Sequence, residues 1–449
     1  MSIFFGVLFL KLIYDALKTK DLKVKTIFKK LLFIYLAVSI SVYNGYAVKL
    51  GSVSVGINTA LRYILFAMAL LLLFKKKSHF RILKLSALLW GSVLLGVIGC
   101  MVNPYRGYVI QDIARWDWVV TGDQTLEHIT GLSPMLFNML LGALQFTIVL
   151  SEAEGRITRD EVRKGVDILC NRVLPIILGY GVLELMFKKI AHINLSKYVL
   201  PFLFGSTSEI GAADRLQGFA KEPAQYAMIL FIYSIIVLIE YRYEISEHGQ
   251  KSKQTRNFWM RIGMIYLLMA ISGSLIAYYL ILVSIGCIMI YSGVDIKFLA
   301  MVIMVGVVTL VLVFGVPDAI MRRLDRVVLV FDALKKGQLY HSYETSEGAR
   351  LMSIYYALAG LIARPLFGIG LGEIDAHTMF FTILANFGLV GSYLYFKIWY
   401  VFGNVHSRQE KAAFIIIIAS TFLFGGIGYF MELYFPFLLL AMSGKGARK

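Results

Sequence analysis

Apolar runs long enough to cross a bilayer, or nearly so, recur from one end of this 449-residue chain to the other. They lie at 3–17, 31–48, 57–74, 85–102, 132–150, 173–187, 224–241, 262–271, 275–291, 298–316, 378–402, 412–429 and 433–442. A straight helix needs roughly 20 residues to span the hydrocarbon layer, so the shorter runs, the first, eighth and last among them, fall short. Lipid offers backbone N–H and C=O groups no water, so each run must satisfy its own hydrogen bonds as a helix. Composition agrees: 58% of residues are hydrophobic and 16% charged, against roughly 45–50% and 25% in soluble domains. The expectation is an all-α polytopic membrane protein with about 12–13 transmembrane helices. Residues 1–449 form one integral-membrane domain, with no soluble domain between the spans.

The net charge of +17 is first an orientation signal. Lysine-rich loops at 18–30 (KTKDLKVKTIFKK), 75–84 and 242–261, with the tail KGARK, fall on one side if spans alternate, and the positive-inside rule makes that side cytoplasmic. The loops at 103–131, 188–223 and 317–377 carry charges that nearly cancel and belong outside. Lysines follow the 3–17 run rather than precede it, so it reads as an uncleaved helix with an outer N-terminus. Basic residues scattered over short juxtamembrane loops do not make a nucleic-acid surface. Cys100, Cys170 and Cys287 lie unevenly in or beside apolar spans, which predicts neither a disulfide framework nor a metal site.

Chemistry is then sought in the outer loops. The first mixes Tyr105, Tyr108, Trp116 and Trp118 with Arg106, Asp112, Arg115 and Asp117, which suits either a headgroup belt or a sugar-binding surface. The second, 188–223, ends in DRLQGFAKEPAQYA. A helix starting at Pro223 holds Glu222 at its positive end, while Arg215 and Lys221 on the same segment make a cationic rim suited to a phosphate or pyrophosphate. The third, 317–377, opens with apolar residues at helical spacing (Ile320, Leu324, Val327, Val328, Phe331, Leu334) and with Arg322, Arg323 and Arg326 off that stripe. That is the pattern of an amphipathic helix lying on lipid or capping the bundle. The polar run QLYHSYETSEGAR, with His341, Tyr343, Glu344 and Glu347, reads as a loop. Arg350 then opens an apolar helix that stops at Arg364-Pro365. Gly368, Gly370 and Gly372 let the backbone turn, and His377 stands at the mouth of the next span, within reach of water.

GIGLGE is half a dinucleotide fingerprint, but it lies between membrane-edge helices and outside any strand–turn–helix unit. There is no P-loop, no HExxH and no paired-cysteine motif, so no cofactor or metal is called for. Arg62, Glu184 and Glu432 sit near expected outer ends of spans, where they reach water or headgroups. Ionisable groups at mid-membrane are scarce, which argues against an ion-coupled transporter.

The span number, RLQGFAKEPAQYA, the following ISGSLIAYYL hairpin, the large outer loop, and RPLFGIGLG followed by His377 together resemble bacterial Wzy-type polysaccharide polymerases. The related O-antigen ligases share the plan. Local matches are confined to about 215–226, 270–280 and 348–396. Ligase-like members carry Asn after the histidine, whereas here the order is His377-Thr378-Met379, and the Glu-Pro segment is more polymerase-like. The resemblance implies a GT-C-like fold and a multi-pass protein of the bacterial cytoplasmic membrane with its active site outside. It implies undecaprenyl-pyrophosphate-linked oligosaccharide as both donor and acceptor, with a flippase and a chain-length co-polymerase as partners. Arg215 and Arg350, then Lys221 and Arg364, would hold the pyrophosphate without a metal. His377 or Glu222 would take the proton of the attacking hydroxyl. Ligase-type transfer to a lipid or protein acceptor, and a flippase for the same lipid-linked sugar, are the alternatives.

Overall fold

The computed structural model describes residues 24–41, 47–50, 53–75, 80–103, 106–110, 119–123, 144–154, 156–204, 215–220, 222–248, 252–292, 328, 332, 335, 346–370, 374, 376, 378–422 and 434–443. In chain order the first elements are α1 (Val24–Ser41), β1 (Ala47–Leu50), β2 (Val53–Gly56), α2 (Ile57–Lys75), α3 (Phe80–Val102), β3 (Arg106–Ile110), β4 (Val119–Asp123) and α4 (Leu144–Ala153). They continue as α5 (Arg159–Ala191), α6 (Leu195–Phe204), α7 (Pro223–His248), α8 (Ser252–Ile271), α9 (Leu275–Ser292), α10 (Ser346–Ala363), α11 (Met379–Phe402), α12 (Arg408–Ser420) and α13 (Tyr434–Ser443). Four segments are long and apolar enough to cross a membrane: Arg81–Val102, Arg159–Ala191, Pro223–Ser246 and Met379–Phe402. Shorter apolar stretches occupy α2, α4, α9, α10 and α13. This is consistent with an all-α membrane protein. Among the described residues strands occur only as two antiparallel hairpins, β1 with β2 and β3 with β4; the second lies within the expected 103–131 loop. The expected segments at 3–17 and 298–316 lie outside the described residues, and of 317–337 only Val328, Asp332 and Lys335 are described, helical and exposed.

The chain divides into two compact units interleaved in sequence, 1–79 with 152–295 and 440–449, and 80–151 with 296–439. In the first, α7 is the centre. Of its most apolar window, 83% is buried inside the protein, and it packs on α8, α9 and α5. A helix apolar on every side belongs inside a bundle. Small polar groups join it to its neighbours, as they do where lipid supplies no hydrophobic drive between helices. Ser234 Oγ and Ser284 Oγ are 2.6 Å apart, and Tyr266 donates to Ser284 at 2.8 Å. A π-turn at Leu169–Val173 within α5 carries Asn171. Its amide donates to Glu240 at 2.7 Å, while Arg261 donates to Glu240 and to Asn171 at 2.5 Å each, a closed triangle tying α5, α7 and α8.

In the second unit α3 packs along α11, and α10 packs on α11. Aromatic rings fill the bundle: Phe146 stacks on Tyr395 and Trp399 on Phe435, with centroids 5.6 and 5.2 Å apart. Phe380 stacks on Phe422 at 4.0 Å.

Candidate functional site

Two short irregular segments, one in each unit, lie among the residues that the sequence singles out. In the first unit the segment Arg215–Ala220 lies against α5 and the α8–α9 turn. Its anchor is Glu184, in the last turns of α5. This side chain is fully buried, a correction to the expectation that it reaches water or headgroups. Its carboxylate accepts the backbone N–H of Gln217 at 3.3 Å and of Gly218 at 2.7 Å, and pairs with Lys188 at 2.7 Å. A charge taken out of water must be matched by charge and hydrogen bonds, and here the loop backbone supplies the hydrogen bonds.

A second π-turn, Phe187–Ala191, ends α5 at left-handed His192, and from it Lys188 also donates to the carbonyl of Arg215. Arg215 is half-buried; its Nε donates to Ser272 O at 3.3 Å and its Nη2 to Gly273 O at 2.8 Å. These carbonyls end α8, where a cation meets the negative end of the helix dipole. They fix the plane of the guanidinium and bring no formal charge of their own.

Gly218 has φ +54, and a Cβ there would lie 2.2 Å from the ring of Tyr226; one on Gly181 would lie 2.2 Å from the same side chain's oxygen. Tyr226 is thus wedged between the loop and α5, and only glycine fits at either contact. Tyr180 stacks on Phe219 with centroids 4.2 Å apart. Gln217 is fully buried, and among the described residues neither atom of its side-chain amide has a hydrogen-bond partner. Helix α7 starts at Pro223, as expected; Glu222 is exposed just before it, and its carbonyl accepts the N–H of Tyr226 at 3.1 Å. Lys221 lies outside the described residues.

In the second unit α10 ends at Ala363, immediately before Arg364-Pro365, as expected. Arg350 lies in its first turns. Arg364 is half-buried and turns its Nη1 to Cys100 Sγ at 3.6 Å; Cys100 in turn donates to Ile369 O at 2.6 Å. Gly368 and Gly370 adopt φ +75 and +110, so the backbone does turn where the glycines stand.

What hydropathy and motifs could not show is the partner of that turn. Helix α11 is broken at Gly388, where φ is 64 and ψ −172, and the groups freed by the break bond to the loop. Leu389 N–H donates to Pro365 O at 2.8 Å, Val390 N–H to Leu366 O at 3.1 Å, and Ile369 N–H to Ala385 O at 2.9 Å. Asn386 closes the rest: its amide donates to Ile374 O at 2.7 Å and to Thr382 O at 2.8 Å and accepts Ile374 N–H at 3.2 Å. His377 lies outside the described residues, next to Thr378, whose hydroxyl caps α11 by accepting Phe381 N–H at 3.3 Å.

No protein-family model and no curated protein matches the chain.

Of the expected site residues, then, Arg215 and Glu222 belong to the first unit and Arg350 and Arg364 to the second. Glu184 is read from sequence as a group at a span end rather than as the anchor of a loop, and Lys188 and Gln217 are not singled out. An isolated acid or amine in an apolar run gives no sign of the loop it will hold. The one available signal was the i, i+4 spacing of Glu184 and Lys188, which places them together on one helix face. No group of His, Cys, Asp and Glu among the described residues could hold a metal ion.

Proposed function

We propose that the protein is a polysaccharide polymerase that joins undecaprenyl-pyrophosphate-linked repeat units on the outer face of the cytoplasmic membrane. The observation that supports this is Arg215. Its guanidinium is held by two backbone carbonyls at the end of α8, on the same short segment as exposed Glu222. The reaction needs a fixed cation for a leaving pyrophosphate and a base for an entering hydroxyl. A hydroxyl of one repeat unit attacks the anomeric carbon of another, the carbon–oxygen bond to pyrophosphate breaks with inversion, and the lipid pyrophosphate departs with the electron pair. Arg215, with Lys221 on the same segment, offsets that charge, and a preorganised cation does so without reorganising during the step; Arg350 and Arg364, the other expected pyrophosphate ligands, belong to the second unit. His377 or Glu222 takes the hydroxyl proton, a contribution of roughly 10²–10⁴-fold. A flippase and a chain-length co-polymerase are the partners this reading brings.

One feature favours a second reading. Transporters build substrate sites from broken membrane helices, and α11 is broken at Gly388. In this chain, however, residues 365–369 occupy the freed backbone groups at the break, so translocation of the lipid-linked sugar is the weaker reading.

The test is reconstitution in liposomes with lipid-pyrophosphate-linked repeat units, comparing wild type with Arg215→Lys, Glu222→Gln and His377→Ala at matched folded yield. A product ladder formed by wild type, and reduced about 100-fold in Arg215→Lys and in one of the two base variants, supports the polymerase. An undiminished ladder in all variants sinks the site. Sugar moved across the bilayer with no ladder favours the flippase, and transfer of a single glycan to a lipid or protein favours the ligase.

A further inference from the structure

The least compensated charge among the described residues is Arg62, in the second turn of α2. Of the expected water or headgroups it does not reach water: it is only 6% exposed. Its Nε and Nη1 are buried without a hydrogen-bond partner, and no ion pair joins it to any described residue. Glu184, Glu240 and Glu152, the buried or nearly buried acids of the same unit, are each paired with another cation.

An arginine cannot escape burial by neutralising itself, as a lysine can. A cation inside an apolar helix therefore stays costly until an anion meets it. The neighbours on α2 offer no anion: Leu61 and Leu65 are buried and apolar, and Asn58, one turn earlier, is a neutral amide. The way out is short. The guanidinium carbon lies 5.6 Å from the centre of the Tyr63 ring, and Tyr63 is 40% exposed. The cation thus lies beside a ring that is itself partly exposed on α2, a helix expected to cross the membrane.

We propose that Arg62 is the anchor of a lipid-phosphate site: the phosphate of a membrane lipid enters beside Tyr63 and accepts the buried N–H groups of Arg62, while its chains stay in the bilayer. Planar guanidinium donors match phosphate oxygens in charge and geometry. The phosphate could belong to a bilayer glycerophospholipid or to an isoprenoid lipid phosphate, since both present the same group. The site rests on the membrane character of the chain and not on polymerase activity, so it can fail without touching that reading.

The test uses the purified full-length protein in neutral detergent and phosphate-free buffer, with thermal melting and native mass spectrometry as readouts. Wild type, Arg62→Lys and Arg62→Met are each titrated with dioleoylphosphatidylglycerol, undecaprenyl phosphate or inorganic phosphate. The expected result is a lipid-dependent rise in the melting temperature of wild type, with lipid occupancy falling tenfold or more in Arg62→Met and less in Arg62→Lys. Without lipid, Arg62→Met should melt at or above wild type, because an apolar side chain relieves an unpaired buried charge. Which lipid acts identifies the source. A lipid-dependent shift and occupancy that survive in Arg62→Met overturn the site, as does a wild type that responds to inorganic phosphate as strongly as to lipid. If Arg62→Met does not fold, the same comparison between wild type and Arg62→Lys decides: undiminished occupancy in the lysine variant overturns the site.

Discussion

The Arg215–Ala220 segment and the Gly368 loop are both short irregular stretches pressed against membrane helices, yet they are held by opposite means. The first is held through side chains: a buried carboxylate binds two loop N–H groups, a lysine binds a loop carbonyl, and a tyrosine fills the space that two glycines leave. The second is held through backbone. A Cβ on Gly368 would fall 2.4 Å from Asn386 O, one on Gly388 would fall 2.4 Å from Gly368 N, and one on Gly96 of α3 would fall 2.5 Å from Phe367 O. Side-chain attachment leaves positions that can be exchanged and retuned. Backbone attachment tolerates no added atom, and it suits a permanent joint better than a site that must adapt to a substrate.

Gly388→Ala should be among the largest effects. Its φ and ψ fall in a region open essentially to glycine alone, and the clashing atoms are backbone. A cost of about 3 kcal/mol or more follows, read as loss of the monodisperse peak in detergent. No truncation of a neighbouring side chain should rescue it. Gly218→Ala is the counterpart with a different outcome. The obstacle is the Tyr226 ring, so the single variant should lose about 2 kcal/mol, and Tyr226→Leu in the same chain should restore part of it. Additive losses in that double-mutant cycle would erase the distinction between the two joints.

Glu184 tests the side-chain joint from its other end. Glu184→Ala leaves Lys188 and the Gln217 and Gly218 N–H groups without their buried partner, a loss of about 3–5 kcal/mol. Glu184→Gln keeps one acceptor oxygen and should cost about 1–3 kcal/mol. Adding Lys188→Met to Glu184→Gln should recover stability if the ion pair matters more than the loop hydrogen bonds. No recovery would mean that the loop N–H groups are what the carboxylate serves. Melting temperatures of the three variants decide.

Hydropathy made the helical membrane class legible and several boundaries as well: α2 starts at Ile57, α9 at Leu275, and α11 at Met379, one residue from the expected start. It failed where charge begins. Helix α1 starts at Val24, inside the lysine-rich 18–30 loop, and α8 at Ser252, inside 242–261, because lysine, arginine and glutamine are good helix formers that an apolar window discards. Helix α5 runs for 33 residues where an apolar run of 173–187 was visible. At the site, the helix start at Pro223 and the stop before Arg364-Pro365 were readable from local backbone chemistry. The burial of Glu184 and the break at Gly388 were not, since each depends on a neighbour remote in sequence, and nothing in the local pattern marks Arg62 as buried.

The smallest predicted effects lie at two reciprocal caps, one in each unit, which extend the comparison to its weakest contacts. Thr158 accepts Glu161 N–H at 3.3 Å while Glu161 accepts Thr158 N–H at 2.9 Å. Ser407 and Glu410 do the same at 3.2 and 2.8 Å. Thr158→Ala and Ser407→Ala should each cost about 1 kcal/mol. The glutamates differ more. Glu161 is about one-third exposed and also pairs with Lys29 at 2.8 Å, a contact worth roughly 0–1 kcal/mol. Glu410 is 8% exposed and additionally accepts His406 N–H at 2.7 Å. Removing it as Glu410→Ala strands more buried donors and should exceed Glu161→Ala by about 1 kcal/mol. Glutamine serves in a capping box nearly as well as glutamate, so Glu410→Gln should recover most of that loss. If Glu410→Gln instead melts as low as Glu410→Ala, the charge at that helix start, rather than its hydrogen bonds, is what holds α12.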